Sequence, residues 1–243
     1  MSEVEQAVQQ AVQQAVQQAS QQAVVTGVSS GIGAAIAERL LADGWGVLGL
    51  SRRKPALDDD RFDWCETDMA DFDQIQRHLA GLQTVDAVIH AAGVQFAAPV
   101  GELDLGHSAQ MWRIHVGAAE ALVDTLAARI TEGGRIVLIG SRTMSGNPGK
   151  SQYAATKSAL TGMARSWAAE LVTRGITVNV VAPGPTDTPM LSDPNRARTA
   201  ATVPPMGRLI DSGEVAGLVA FLLGADARSI TGQVITQCAG LSL

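Results

Sequence analysis

Ala23-Val24-Val25-Thr26-Gly27-Val28-Ser29-Ser30-Gly31-Ile32-Gly33 decides the fold of this chain. A short apolar run meets a glycine-rich turn and leads into the amphipathic stretch Gly33 to Leu41, which reads as strand, turn and helix. Gly27 permits the sharp turn, Gly31 lets a pyrophosphate approach the backbone, and Gly33 lets helix and strand pack closely. Unpaired amides at the helix start meet phosphate charge there. Gly27, Ser29, Ser30, Gly31, Ile32 and Gly33 are therefore the first candidate cofactor residues, and the ligand class is a nucleotide.

Beyond this turn, short apolar runs alternate with longer amphipathic stretches. Val47-Leu48-Gly49-Leu50, Val85 to Ile89, Ile136 to Ile139, Ile176 to Val181 and Gln233-Val234-Ile235 read as buried strands, with Phe62 to Glu66 a weaker seventh. Helical stretches run from His107 to Ile130, Ser151 to Val172 and Ser212 to Leu223. Near-continuous apolar strands alternating with helices predict an α/β fold: a single-domain, Rossmann-type, doubly wound parallel sheet of about seven strands, covered on both faces. No linker divides residues 23–243. Residues 1–22 differ, with Ala-Val and Gln-Gln pairs alternating every four residues. They read as a low-complexity tail with helical tendency, ahead of a helical arm for a neighbouring subunit.

Composition limits the partners. The 243 residues are 46% apolar and 17% charged with a net charge of −6, which disfavours nucleic acid and anionic membrane. No apolar run reaches the length of a membrane span, and the first residues lack signal-peptide character. Cys65 and Cys238 have no metal-ligand neighbours and read as free thiols. A cytoplasmic protein without a bound metal is expected.

The chain holds one tyrosine, in Tyr153-Ala-Ala-Thr-Lys157. On a helix the two side chains lie one turn apart on one face. An adjacent ammonium favours the phenolate over a phenol that otherwise ionises near pH ~10, suiting it to give a proton to an oxygen and take it back. Ser141 ends the fifth strand, and ligands of open parallel sheets gather at that edge.

The spacing T-G-x-x-x-G-x-G resembles the glycine motif of the short-chain dehydrogenase/reductase family. The resemblance runs from about Ala23 to the C-terminus, through His90-Ala91-Ala92-Gly93, Ser141, Tyr153-x-x-x-Lys157, Asn179 to Gly184, Thr188 and Ile230-Thr231-Gly232-Gln233. It implies an oxidoreductase that exchanges hydride between a nicotinamide cofactor and a ketone or secondary alcohol. Ser141 would hold the substrate oxygen, Tyr153 would move the proton, and Lys157 would bind the nicotinamide ribose and lower the tyrosine pKa. The resemblance also implies that Asp68, with Met69, contacts adenine and that Ala91, Ala92 and Gly93 border the cofactor. Pro183, Gly184, Thr186 and Thr188 would border the nicotinamide, residues 189–206 would close over substrate, and the assembly would be a homotetramer or homodimer.

The second strand ends in Ser51-Arg52-Arg53, where an acidic residue would accept from a ribose 2′-hydroxyl. Two guanidinium groups favour a 2′-phosphate instead, so NADP(H) is expected ahead of NAD(H). The chain departs from the family pattern at His115, where asparagine is usual. An imidazole there either relays protons or packs, and both readings stay open. His90 and Ala91 replace two further asparagines. Arg142, Arg196 and Arg198 are candidate contacts for an anionic substrate group, with Gln95, Phe96, Met144 and Gln152 as candidate pocket lining. The alternative function is a catalytically silent dinucleotide sensor on the same scaffold.

Overall fold

The computed structural model describes residues 21–192 and 202–243. The Gln-rich tail up to residue 20, and the centre of the 189–206 loop with Arg196 and Arg198, lie outside the described residues. The elements are β1 (Gln22–Thr26), α1 (Gly31–Ala42), β2 (Gly46–Ser51), β3 (Phe62–Glu66), α2 (Phe72–Leu79), β4 (Val85–His90), α3 (Leu105–Trp112), α4 (Ala118–Leu126), β5 (Ile130–Ile139), α5 (Ser151–Leu171), β6 (Thr177–Pro183), α6 (Ser212–Leu223) and β7 (Val234–Gln237). A π-helical turn, Arg113–Gly117, joins α3 to α4.

All seven strands are parallel, in the order β3-β2-β1-β4-β5-β6-β7. Alternation along each strand divides the core in two. Val24, Leu48, Val88 and Leu138 pack with Ile75, Leu122 and Leu160 under α2, α4 and α5. Val25, Val47, Ile89 and Val137 pack with Ile36, Leu40 and Val219 under α1 and α6. Burying one such side chain contributes roughly 1.5–3 kcal/mol, and substitutions on either face leave cavities that close poorly. The chain order reverses between β1 and β4, and a crevice opens there at the carboxyl ends of the strands.

Several boundaries differ from the sequence reading. β1 starts at Gln22, whose N–H donates to the Asp86 carboxylate at 2.8 Å and which pairs with Gly46. The helix expected to run from His107 to Ile130 starts at Leu105, where Asp104 caps the Gly106 and His107 amides. It ends at Leu126, and Ile130 begins β5 opposite Val85. Helix α2 is short, and Asp71 caps it by accepting from Gln74 N at 3.0 Å. Among the described residues no helix is long and apolar enough to cross a membrane.

Candidate active site

The crevice at the β1–β4 switch is a cavity of about 290 Å³, and the glycine turn forms one wall. Gly27 has φ +76°, and a Cβ there would sit 2.9 Å from the Ala92 backbone. A Cβ on Gly33 would lie 2.4 Å from the Gly27 carbonyl oxygen, so the helix can pack on the turn only with glycine at this position. Ser30 caps α1 in an extended conformation and spends no side-chain hydrogen bond on its own helix. The first amides of α1 therefore face the cavity with partial positive charge.

Thr26, at the end of β1, ties this turn to the end of β4. Its hydroxyl accepts from Ala91 N at 3.1 Å and Ala92 N at 3.0 Å, and contacts His90 Nδ1 at 3.0 Å. His90 Nε2 lies 3.0 Å from the Ile114 carbonyl, which only accepts. The ring proton is thereby assigned to Nε2, and the Thr26 hydroxyl donates to Nδ1. Complete burial, and then the Lys157 charge, push the His90 pKa down to about 3. His90 is a neutral brace between three elements.

Tyr153 and Lys157 lie one turn apart on the buried face of α5, and both line the cavity. Lys157 Nζ donates to the Ile139 carbonyl at 2.7 Å, and full burial lowers its pKa to about 7. Ser141 lines the same cavity just beyond β5; its hydroxyl meets Thr143 Oγ1 at 2.9 Å and accepts from Thr143 N at 3.2 Å.

His115 is placed differently. It is absent from the cavity wall, and both ring nitrogens are engaged. Nε2 accepts from Val94 N at 3.1 Å, so Nδ1 carries the proton and donates to Thr156 Oγ1 at 2.9 Å. Thr156 in turn donates to the Tyr153 carbonyl at 2.9 Å. The ring stands edge-on to Tyr153 with centroids 5.6 Å apart, and burial holds its pKa well below the usual range. This geometry favours packing over proton relay: His115 fixes the backbone of Tyr153 and the 91–94 segment.

At the β2 end, Ser51, Arg52, Arg53, Asp68 and Met69 line the cavity, together with Thr67, which the sequence reading missed. The Ser51 hydroxyl donates to Arg53 O at 2.7 Å and accepts from Trp64 Nε1 at 3.0 Å, so it shapes the turn that carries the arginines. Arg52 and Arg53 are exposed, and neither guanidinium has a hydrogen bond or ion pair among the described residues. The Asp68 carboxylate accepts from Ala70 N at 2.9 Å.

Ala91, Ala92 and Gly93 line the middle, and Pro183, Gly184, Thr186 and Thr188 the β6 side. The latter segment is pinned by Asp187 N to Ile210 O at 2.8 Å and Ile210 N to Pro185 O at 3.0 Å. A Cβ on Gly31 would touch the Thr188 side chain, so the two walls meet there.

Of the expected substrate-pocket residues, Gln95 and Arg142 line the wall, whereas Phe96, Met144 and Gln152 do not. Phe96 stacks on His107 at 4.0 Å, Met144 packs against the core, and Gln152 Nε2 donates to Asp104 O at 2.8 Å. Asn147 and Lys150 line the wall instead. Their place in the turn before α5 was the available signal.

The family model described as enoyl-(acyl carrier protein) reductase matches residues 27–242. The chain is 36% identical over 182 residues to the cyclic-di-GMP-binding biofilm dispersal mediator protein of Escherichia coli (strain K12), covering 70% of this chain and 73% of that one. It is 49% identical over 113 residues to the 3-oxoacyl-(acyl-carrier-protein) reductase of Salmonella typhimurium, covering 44% of this chain and only 46% of that enzyme. A blue fluorescent protein from a metagenomic library, solved with NADPH, superposes with a TM-score of 0.80 at 33% identity, covering 93% of this chain and 99% of its own. With the parallel sheet and the glycine turn, these matches establish that the chain belongs to the short-chain dehydrogenase/reductase family of nicotinamide-dependent oxidoreductases.

Proposed function

We propose that this protein is an NADP(H)-dependent oxidoreductase that interconverts a ketone and a secondary alcohol through Ser141, Tyr153 and Lys157. The carrying observation is that these three residues, from the end of β5 and one face of α5, line the same cavity as the glycine turn. The cavity suits a dinucleotide: no side chain fills the approach at Gly27 and Gly33, and Ser30 and the guanidinium groups of Arg52 and Arg53 are uncommitted among the described residues.

Ser29, Ser30 and the amides of Gly31, Ile32 and Gly33 receive the pyrophosphate. Asp68 and Met69 border the adenine, and Ala91, Ala92 and Gly93 line the central path. Pro183, Gly184, the backbone of Thr186 and the hydroxyl of Thr188 bind the carboxamide end. When bound, the nicotinamide supplies or accepts the hydride. Ser141 orients the substrate oxygen, and Tyr153 protonates it in reduction or deprotonates it in oxidation. Lys157, whose ammonium is costly to bury, favours the phenolate and holds the ribose.

The NADPH complex of the metagenomic protein supports the cofactor choice, as does the arginine pair after β2. A charge-assisted pairing to the 2′-phosphate contributes about 1.5–3 kcal/mol, equivalent to roughly ten- to a hundredfold in affinity. Initial rates across a broad carbonyl panel, with NADPH and NADH, test the proposal: turnover of at least one ketone with a preference for NADPH is expected. Arg52→Asp should then shift that preference toward NADH by about tenfold or more. An unchanged ratio contradicts the assignment of Arg52 and Arg53.

The similarity to the cyclic-di-GMP-binding biofilm dispersal mediator of Escherichia coli favours a second reading in which the scaffold is a silent dinucleotide sensor. Tight NADPH binding with no oxidation of it by any carbonyl would select that reading. We further propose a cytoplasmic homotetramer or dimer. Exposed Leu105 and Trp112 on α3, and Val172 after α5, support an interface along these helices. A monomer at micromolar concentration by light scattering contradicts it.

A further inference from the structure

We infer that the β5 end of the cavity is built for a substrate carrying an oxyanion group, carboxylate or phosphate, near its carbonyl, and that Arg142 holds that group. The inference rests on the oxidoreductase reading and names the substrate class for it.

Arg142 follows Ser141 directly, so the two Cα atoms are about 3.8 Å apart. Its backbone is fixed: Ser141 caps the turn Arg142–Ser145, Met144 N donates to Ser141 O at 3.0 Å, and Ser158 Oγ on α5 donates to Met144 O at 2.6 Å. The guanidinium is rooted in rigid structure beside the serine proposed to hold the reacting oxygen.

That guanidinium has no acceptor among the described residues, although Arg142 is half-buried and lines the cavity. The other partly or fully buried arginines each have one. Arg61 pairs with Asp59, Arg129 donates to Leu79 O, Arg135 to Gly134 O and Arg174 to Ala127 O. A half-buried guanidinium without an acceptor forgoes strong charge-assisted bonds that an anionic ligand supplies. Gln95 lines the same cavity, is buried, and has an Nε2 without a partner among the described residues. Among the described residues no protein acceptor holds its amide, so it can turn to a second ligand oxygen.

Charge points the same way. The chain carries −6 overall, yet among the described residues the only acidic one on the cavity wall is Asp68, at the β2 end. Around the β5 end the wall carries Arg142, the buried Lys150 and Lys157. Low-dielectric walls of one sign concentrate oppositely charged small molecules. Arg52 and Arg53 sit beyond β2, three strand spacings from β5, or about 14 Å. One cationic pair cannot serve both ends, so Arg142 is left for the substrate.

Matched substrates test this: acetoacetate against its methyl ester, and dihydroxyacetone phosphate against dihydroxyacetone, each with NADPH. Wild-type protein should favour the charged member of at least one pair by about tenfold or more in kcat/KM. In Arg142→Gln that ratio should collapse, mainly through KM, and Arg142→Lys should restore part of it. The first pair responding assigns a carboxylate, the second a phosphate. A wild-type preference for the neutral member of both pairs, or an equal loss on both members in Arg142→Gln, overturns the inference. If no carbonyl turns over, the oxidoreductase reading fails, and calorimetric titration of the NADP-loaded protein with malonate and with inorganic phosphate still decides the anion site. Binding weakened about tenfold by Arg142→Gln supports it, and equal binding by both proteins overturns it.

Discussion

Tyr153→Phe is expected to remove nearly all turnover, by about 10²–10⁴-fold in kcat, while NADPH affinity stays within a few-fold. The substitution keeps the ring that packs edge-on against His115 and deletes only the hydroxyl. The fold should not notice, because α5 is held by Leu160, Ala164 and Ala168 in the core and by the Thr156 bond to the Tyr153 carbonyl, which survives the change. No other tyrosine exists to substitute. His115, the nearest alternative acid by sequence, has both nitrogens occupied and sits off the cavity wall. Retained turnover in steady-state assays would mean that another group moves the proton.

Lys157→Met should abolish activity and yet make the ligand-free protein more stable near and below neutral pH. Burial lowers the Lys157 pKa from 10.5 to about 7, so the unfolded chain binds this proton over a pH range where the folded chain does not. Stability therefore rises with pH between about 7 and 10.5, and the full penalty of a buried ammonium is present below that window. Such a shift corresponds to a penalty on the order of 5 kcal/mol, against which the variant loses the bond to Ile139 O, a cost of about 1–3 kcal/mol. A higher midpoint of thermal unfolding at pH 6 is expected for the variant, with the gap narrowing and then reversing as pH approaches 10.5. His90 and His115 flank the lysine and are also held neutral by burial, but both persist in the variant and so largely cancel in the comparison. An unfolding difference independent of pH would show that the lysine is not desolvated.

These expectations separate what the sequence encodes locally from what only packing reveals. The turn from Thr26 to Gly33 was legible because glycine leaves a distinct mark where φ is positive or backbones touch. The strands were legible because a sheet covered on both faces needs uninterrupted apolar runs. The end of α4 was not. Ile130 stands four residues after Leu126, so helical periodicity continues through it, and only its pairing with Val85 makes it strand. Gln22 hid in the Gln-rich tail because its role is a backbone bond to Asp86, a partner far along the chain. His115 stayed ambiguous for a related reason: two ring nitrogens, Val94 N and Thr156 Oγ1 had to be brought together before its proton could be placed. Phe96 and Gln152 read as pocket residues because they neighbour the expected site in sequence, whereas stacking on His107 and the bond to Asp104 hold them elsewhere.

The most direct test is a crystal structure of the complex with NADP⁺. The pyrophosphate should lie on the amides of Gly31 to Gly33, the 2′-phosphate against Arg52 or Arg53, and the nicotinamide ring between Thr188 and the Tyr153 hydroxyl. A dinucleotide bound outside this crevice, or bound with its nicotinamide turned away from Tyr153 and Lys157, would contradict the account.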